Sequence, residues 1–301
     1  MIYMNIRIIF ILTCIFLNVS PLSSDAFQIY SYAKDETVIG SLKTHTIKGD
    51  ESLIEIARKF GIGYNEIVDA NPGLDPFVPG EGKEINIPTT WILPDLPSYD
   101  GLVINIAEMR LYYFSKHSGS VVRTFPIGIG SEGNETPVGK FKIIEKIVNP
   151  SWYVPGSIRK ERPELPRVVP PGPENPLGTH ALRLSLGSVL IHGTNRPYAV
   201  GRRASHGCIR MYPEDIPKLF QAVSKGTEVT IIQQPVKVGT LNSRIYLEVH
   251  KDQALQINYF DEAVTSLRKL LKVYNIYDTI DKEKMLTVLR EKRGMPVDIS
   301  K

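Results

Sequence analysis

The apolar positions of residues 44–88 change from the alternation of a strand to the spacing of a helix and back again. The first helix is predicted from four residues that share one helical face: Leu53, Ile56, Ala57 and Phe60. Asp50 is placed to cap this helix and Gly61 to end it. A second helix is predicted over 64–71 and a closing strand over 83–88. The stretch therefore predicts a small, compact α+β domain.

From residue 101 onward the pattern becomes a series of short β-rich runs separated by turn residues. Six runs are predicted as strands: 102–107, 110–114, 121–130, 138–148, 181–186 and 188–192. Many short strands of this kind predict a mainly β sandwich or barrel. Residues 149–178 are rich in proline and lack periodicity, and a loop of that length inside a compact domain is usually functional. Within this loop, Trp152 and Tyr153 are expected to contact a polar, extended substrate.

The last third of the chain is predicted to mix helices with strands. One helix is expected over 216–223, with Pro213 in its first turn and Gly226 after its end. Two strands and two amphipathic helices are predicted beyond it: 227–232, 243–250, 260–274 and 281–293. A mainly β domain with one helix (100–233) is thus expected to follow the α+β domain. A Pro-rich linker (88–100) is expected to join them, and a strand with helices (234–301) is expected to extend the chain.

The N-terminus has the order of regions found in a secretory signal. Arg7 precedes an apolar stretch over 8–17, and small and polar residues follow up to Ala26. A membrane anchor is the alternative, but the apolar stretch is too short to span a bilayer. We therefore predict a cleaved signal peptide over 1–26, export to the periplasm, and a mature chain without a transmembrane segment.

Composition narrows the classes of partner. The formal charge is +4, and no run of Lys and Arg interleaved with aromatic residues indicates a nucleic-acid partner. The G-x-G-x-x-G pattern at 128–133 is followed by a strand-like run instead of the helix that a dinucleotide site needs. No cofactor is expected.

Cleavage of the signal removes Cys14 and leaves Cys208 as the single cysteine of an exported chain. A cysteine nucleophile needs a base, backbone amides directed at the oxyanion and a cation or helix N-terminus that favours the thiolate. His192, Gly207 and the helix expected near Pro213 would supply these features. No acidic residue lies close in sequence, so the carbonyl of Gly193 is a candidate to orient His192.

Three interpretations of Cys208 compete. A buried, inert cysteine is the usual role of an isolated residue of this type. A zinc site would need three ligands and an open position, which His192, His206 and Cys208 could provide, although their spacing resembles no familiar zinc pattern. Two glycine-flanked histidines close to the cysteine favour thiol catalysis, and no metal is predicted.

Residues 44–88 resemble the LysM domain, a small module that binds glycans containing N-acetylglucosamine. The likeness is carried by the stretches "IKGDESLIEIARKFGI", "IVDANPGL" and "INIP". It implies glycan contacts from two loops: Gly49, Asp50, Glu51, Asn71 and Pro72. A generic spacer domain is the alternative.

Residues 100–233 resemble the catalytic domain of the L,D-transpeptidases (YkuD type), through "IHGT", "ASHGCIR" and "TPVGKF". The resemblance implies a β-rich fold with Cys208 as nucleophile, His192 as its base and Gly193 as the residue that orients His192. It also implies oxyanion donors at Gly207 and Cys208, and a supporting role for His206. Further residues expected to line the substrate site are Ser205, Arg210, Thr194 and Asn195.

Together the two resemblances imply a periplasmic enzyme of Gram-negative bacteria that acts on peptidoglycan stem peptides and glycan strands. The expected reaction cleaves the bond between meso-diaminopimelate and D-Ala through a thioester and passes the acyl group to an amine. Diaminopimelate, a lipoprotein lysine, a free D-amino acid and water all remain open as acceptors. An L,D-carboxypeptidase and a non-catalytic glycan-binding wall protein are the alternatives. The sequence leaves the oligomeric state and the role of the C-terminal extension undecided.

Overall fold

The computed structural model describes residues 29–115, 119–252 and 256–301, so the signal peptide predicted over 1–26 lies outside the described residues. The helices are α1 Leu53–Lys59, α2 Tyr64–Ala70, α3 Gly156–Glu161, α4 Ile216–Ala222, α5 Tyr259–Leu271 and α6 Lys282–Glu291. The first ten strands are β1 Ile29–Ser31, β2 Val38–Gly40, β3 Lys43–Thr46, β4 Glu84–Ile87, β5 Thr90–Ile92, β6 Gly101–Asn105, β7 Arg110–Phe114, β8 Val121–Pro126, β9 Ile129–Gly130 and β10 Gly139–Val148. The remaining ten are β11 Trp152–Tyr153, β12 Val168–Val169, β13 His180–Leu184, β14 Leu190–His192, β15 Arg203–Ser205, β16 Ile209–Arg210, β17 Glu228–Ile232, β18 Val236–Leu241, β19 Arg244–Val249 and β20 Val297–Asp298.

A nine-stranded mixed sheet forms the centre of the molecule, in the order β1-β8-β7-β6-β17-β10-β13-β14-β16. All five residues of β6 are buried, because this strand is covered on both faces. Leu102 and Ile104 pack into the core that also contains Ile216 and Leu219 of α4. Val103 points the other way, into a second core. The mainly β fold expected for this region is confirmed.

The second core is shared between the small N-terminal α+β domain and the sheet. Leu53 and Ile56 of α1 pack in one cluster with Tyr112 and Phe114 of β7. β3 pairs antiparallel with β4, and the two short helices lie between these strands in the chain. The α+β unit predicted over 44–88 is therefore present, and it is packed against the sheet.

The linker predicted over 88–100 is wrong for its first half. Thr90–Ile92 forms β5, which pairs with Val38–Gly40, and the indole of Trp91 is buried in the shared core. The indole Nε1 donates a hydrogen bond of 2.8 Å to Glu66. Apolar side chains in this stretch thus outweigh the prolines that suggested a linker, because they have a non-local surface to bury against.

The cap predicted for α1 is also wrong by two residues. Ser52, and not Asp50, is the N-cap, and its hydroxyl accepts a hydrogen bond of 3.3 Å from the amide of Glu55. The Glu55 carboxylate accepts in return from the amide of Ser52 at 3.0 Å. This reciprocal pair is a capping box, which satisfies two amides that the helix leaves unpaired.

The C-terminal extension has a core of its own. α5 and α6 pack on the three-stranded sheet β18-β19-β20 through residues such as Leu247, Leu267 and Met285. α5 ends at Leu271, so Tyr274, which was predicted to belong to this helix, lies beyond its end and is 88% exposed. Across the described residues, none of the helices is both long enough and apolar enough to span a membrane.

Candidate active site

Two short strands bring the predicted nucleophile and base onto the same face of the sheet. β14 and β16 run parallel, with Ile191 opposite Ile209 and His192 opposite Arg210. Both isoleucines are buried in the core below the sheet. Because side chains alternate along a strand, His192, Arg210 and Cys208 project from the opposite face. His192 and Cys208 are 16 positions apart in sequence, and one strand pairing brings them onto the same face of the sheet.

His192 is held by a backbone carbonyl. Its Nδ1 lies 2.6 Å from the carbonyl oxygen of Gly193, an acceptor that assigns the proton to Nδ1 and leaves Nε2 unprotonated. The side chain is only 3% exposed. Burial and the neighbouring positive charge of Arg210 lower the pKa of His192 to about 4. At neutral pH the imidazole is therefore an uncharged base.

Cys208 lies beside backbone groups and two cations. Its sulfur is 3.7 Å from the carbonyl oxygen of Ser188, close enough for a weak S–H donor. Burial raises the pKa of the Cys208 thiol, against the lowering effects of the Leu190 amide and of Arg210 and Arg183. The cysteine is consequently a neutral thiol at neutral pH, and attack on a carbonyl requires that a base remove its proton.

The hydroxyl groups of Ser205 and Thr136 form hydrogen bonds with the backbone around the cysteine. The Oγ of buried Ser205 donates to the carbonyl of Cys208 at 2.5 Å. Gly207 has φ +92°, a conformation that side chains rarely allow. Its carbonyl accepts a hydrogen bond of 3.1 Å from Thr136, whose Oγ1 also accepts from the amide of Gly130 at 2.9 Å. Thr136 lies in the "TPVGKF" stretch that carries part of the family resemblance, and it was not predicted as a site residue.

The helix expected over 216–223 is present as α4, but it does not follow the cysteine directly. Cys208 leads into β16, and α4 begins at Ile216, eight residues after the cysteine. Pro217, instead of Pro213, occupies its first turn. The dipole of α4 therefore does not support the thiolate, because such effects fade within one turn of a helix end.

His206 contacts the helix α3 of the loop 149–178. Its Nε2 lies 3.2 Å from the carboxylate of Glu161 in α3. Among the described residues, the one group of three or more side chains whose ligand atoms all lie within 4.8 Å of one another is Glu108, Glu248 and His250. The zinc alternative built on His192, His206 and Cys208 thus lacks the geometry of a metal centre.

A cavity of about 570 Å³ is lined by His206 and Arg210, each two residues from Cys208, whereas Cys208 and His192 are not among its lining residues. Five of the residues predicted to act in the site line it: Trp152, Thr194, Asn195, His206 and Arg210. Tyr153 and Ser205 do not line it; Tyr153 is 75% exposed and Ser205 is buried behind the cysteine loop. The predicted loop 149–178 forms one wall and contains α3 and the two-stranded ribbon β11-β12, which its lack of periodicity did not predict.

The cavity has a cationic lining. Burial, and then the positive charge of Arg196, lower the pKa of the Arg210 guanidinium; Arg196 also lines the cavity and was not predicted as a site residue. Two like charges held together are stabilised by an anion that binds between them. This wall of the cavity is therefore suited to a carboxylate.

The residues expected to contact glycan occupy two loops of the N-terminal domain. Glu51 accepts from His45 Nε2 at 2.7 Å and from Lys59 at 3.2 Å, and the amide of Gly49 donates to Glu81 at 3.0 Å. Asn71 is buried and bonds to the backbone of Ile67 and Asn86 through its amide. Asp50 and Pro72 lie beside these residues in the same loops. The side chain of Asn71 therefore holds the domain together internally.

Comparisons with known proteins agree with the two sequence resemblances. Residues 100–231 match the L,D-transpeptidase catalytic domain (YkuD), and residues 45–88 match the LysM domain. The probable L,D-transpeptidase YcfS of Escherichia coli (strain K12) is 39% identical over 273 residues, which are 87% of this chain and 85% of that protein. The probable L,D-transpeptidase YbiS of the same strain is 36% identical over 274 residues, 87% of this chain and 89% of that protein. The NMR structure of the catalytic domain from the E. faecium L,D-transpeptidase is 22% identical, covers 46% of this chain and 100% of that one, and superposes with a TM-score of 0.36.

Proposed function

This chain belongs to the L,D-transpeptidase family, and on that premise we propose that it is a peptidoglycan L,D-transpeptidase whose nucleophile is Cys208 and whose general base is His192. The observation that carries the proposal is the parallel pairing of β14 with β16. It sets His192 opposite Arg210, two residues from Cys208, and the Arg210 and Arg196 side chains line the neighbouring cavity.

The first half of the reaction forms a thioester. The Cys208 sulfur attacks the carbonyl that joins meso-diaminopimelate to the terminal D-Ala of a tetrapeptide stem, and Nε2 of His192 takes the thiol proton. The carbon–nitrogen bond then breaks, and the same proton passes to the nitrogen of D-Ala, which leaves as the free amino acid. The amides of Gly207 and Cys208 are the proposed donors to the oxyanion.

The protonation states at rest favour general-base catalysis over a preformed ion pair. The pKa of His192 lies near 4 and that of Cys208 is raised, so the neutral thiol and the neutral imidazole are the resting forms. In the described residues, no hydrogen bond joins the Cys208 sulfur to His192, since the thiol faces the Ser188 carbonyl. The thiol must therefore turn toward Nε2 when the substrate binds.

The second half of the reaction resolves the thioester. An acceptor amine attacks the acyl carbon, the sulfur leaves as thiolate and recovers a proton, and a new amide forms without ATP. The stem carboxylates are proposed to lie against Arg210 and Arg196, through hydrogen bonds strengthened by charge. Trp152 and Asn195 line the same cavity and are proposed to contact the stem.

The LysM domain is proposed to hold the enzyme on the glycan strands of peptidoglycan. Binding there raises the local concentration of stem peptides at the cavity. Export to the periplasm by the segment 1–26 fits this substrate. A meso-diaminopimelate amine and a lipoprotein lysine are both amines that suit the second step.

The test is the Cys208→Ala variant, with intact-mass spectrometry in the presence of a soluble tetrapeptide. The wild-type chain should gain the mass of the tripeptide acyl group and release D-Ala, whereas Cys208→Ala should do neither. Thr136→Ser, which keeps the hydroxyl that holds Gly207, is the matched control and should still acylate. An adduct that persists on Cys208→Ala would falsify the nucleophile. Release of D-Ala with the free tripeptide as sole product would show a carboxypeptidase, and glycan binding without any adduct would show a non-catalytic wall protein.

A further inference from the structure

The LysM domain contacts both ends of the segment that carries the nucleophile. We define the cysteine segment as residues 201–212, which run from β15 through Cys208 and β16. Its upstream end meets the start of α2, and its downstream end meets the end of α1 and the turn after it. A domain that served only as a glycan tether would not need such contacts.

The upstream contact leaves no room for a side chain. The amides of Tyr64 and Asn65 donate to the carbonyls of Val200 and Gly201 at 3.3 and 3.2 Å. Gly201 has φ +78°, and a Cβ at that position would lie 2.2 Å from the Tyr64 nitrogen. The close approach of the two backbones therefore requires glycine at 201.

The downstream contact combines a buried hydrogen bond with a two-pronged ion pair. The Tyr212 hydroxyl donates to the carbonyl of Ile62 at 3.1 Å in a buried position. The Nε and Nη2 of Arg58 donate to the two carboxylate oxygens of Glu214 at 2.7 and 2.8 Å. Together these contacts hold the chain four to six residues after Cys208.

Both contacts lead directly to the reacting groups. Met211, next to Tyr212, donates its amide to the carbonyl of His192 at 2.9 Å. At the other end, the chain from Gly201 passes through Arg203 to Ser205, whose hydroxyl holds the Cys208 carbonyl. A shift of the LysM domain would therefore move the imidazole and the thiol relative to each other.

A buried ion pair fixes the LysM domain to the sheet behind these contacts. Arg110 of β7 donates to Glu66 of α2 at 2.7 Å, and both side chains are buried. The Arg110 guanidinium also lies 4.1 Å from the centre of the Trp91 ring. The domain is thus supported by a shared core and cannot move without disrupting it.

We propose that the LysM domain is a positioning element of the catalytic site, with Tyr212, Gly201 and the Arg58–Glu214 pair as positioning residues. The inference rests on the proposed role of Cys208 and adds that glycan binding and thiol chemistry share one mechanical unit. It follows that the junction matters even for a soluble stem peptide that has no glycan to bind.

The decisive experiment compares Tyr212→Phe with Tyr113→Phe in the full mature chain. Tyr113 makes the same kind of bond, from its hydroxyl to the Ala222 carbonyl at 2.8 Å, but within the β domain. On a soluble tetrapeptide, Tyr212→Phe should lower kcat by about tenfold with KM unchanged, because misplaced reacting groups lose rate more than binding. Alkylation of Cys208 by iodoacetamide should stay within about twofold of wild type, since it needs the thiolate alone. A kcat equal to wild type, or an equal loss in Tyr113→Phe, would overturn the inference.

A second pair of variants avoids any change in the core. Arg58→Ala should lower kcat, and the reversed pair Arg58→Glu with Glu214→Arg should restore it. The matched control is Lys251→Ala, which breaks another partly exposed ion pair of the LysM domain, to Asp69 at 2.6 Å, that does not reach the cysteine segment. If Lys251→Ala loses as much rate as Arg58→Ala, the positioning role is wrong. A wild-type chain that never acylates refutes the proposed function itself, whereas acylation that is indifferent to these variants refutes only the positioning role.

Discussion

Two buried histidines, His192 and His250, lie in opposite electrostatic settings. His192 contacts a backbone carbonyl at 2.6 Å, and the charge that acts on it is the cation of Arg210, which together with burial lowers its pKa. His250 contacts the carboxylate of Glu248 at 2.6 Å, at the point where the three structural units meet. Among the described residues no carboxylate pairs with the first histidine, whereas the second has one in direct contact.

The charged side chains around His250 are paired with groups of opposite charge. The buried ammonium of Lys237 lies 2.7 Å from Glu108 and 2.9 Å from Glu248, and it also donates to the carbonyl of Ile92 at 2.7 Å. The Tyr112 hydroxyl donates to Glu108 at 2.9 Å. Lys237 thus supplies the positive charge that an ion held by Glu108, Glu248 and His250 would otherwise provide.

The difference between the two clusters separates catalysis from structure. A buried charge whose partners are all present stabilises one arrangement of the chain. It has no unpaired group that could bind a substrate. Two arginines line the cavity beside the cysteine segment, the partly buried Arg210 and the exposed Arg196, so a substrate carboxylate can pair with them. Removing a residue of the cluster beside Cys208 should therefore lower mainly the reaction rate. Removing a residue of the cluster around His250 should lower mainly the free energy of unfolding.

His192→Ala should have the largest effect, and it should act on rate. We expect the acylation rate to fall by about 10²–10⁴-fold, since the neutral thiol loses its general base. The matched control is His180→Ala on the adjacent strand, whose side chain packs beside Phe220 of α4 on the opposite face of the sheet. Pre-steady-state acylation measured by mass spectrometry gives the rate. Equal rates in the two variants would remove His192 from the mechanism.

Lys237→Met should act on stability and not on the chemistry. It leaves two carboxylates buried without their ammonium, and the loss of one partner of a buried pair costs about 3–5 kcal/mol. Urea unfolding of the mature chain measures the change. Lys251→Ala, which breaks a pair with a half-exposed lysine, should cost less than about 1 kcal/mol. Similar unfolding midpoints for both variants would show that the Lys237 cluster is not the stabilising one.

The pH dependence of the unfolding free energy should reveal the lowered pKa of His192, with an effect slightly smaller than that of Lys237→Met. Its pKa falls from an ordinary 6.5 to about 4 on folding, so the unfolded chain binds the proton more readily. Its contribution is therefore fully present above pH 6.5 and is lost as the pH falls toward 4, by about 3 kcal/mol in total. The difference in unfolding free energy between wild type and His192→Asn, measured from pH 4 to 8, should show this slope. Parallel curves would contradict the lowered pKa.

Local patterns predicted the elements of this chain well, and their ends less well. The apolar spacing from Leu53 to Phe60 predicted α1, but Asp50 and Ser52 are both good capping residues and only the geometry of the turn chooses between them. The strand Leu190–His192 was predicted within two residues. The helix expected over 216–223 is present at Ile216–Ala222, but β16, a two-residue strand that exists through its pairing with β14, separates it from Cys208 and was not predicted. A strand that short has no periodicity of its own.

The burial of Trp91 and Lys237 could likewise not be predicted from the local sequence pattern. Prolines around Trp91 indicated a linker, yet the indole is buried against Arg110 and Glu66 of two other elements. Glu248 lies opposite Lys237 in the β18–β19 hairpin, but the second partner, Glu108, is 129 residues away in sequence, and the burial of all three depends on that contact. Thr136 was overlooked because its bonds to Gly130 and Gly207 depend on two loops that meet only after folding.

The sequence by itself determined the class of fold, the order of the domains and the residue types that make thiol chemistry possible, because periodicity and motif spacing are local properties of the chain. The tertiary structure decided which of those groups share a face, which charges are compensated, and that the LysM domain is packed against the cysteine segment instead of being tethered to it. These features depend on contacts between residues far apart in the chain. His192 and His250 are the same side chain in the sequence, and only their neighbours make one a candidate base and the other part of a structural ion cluster.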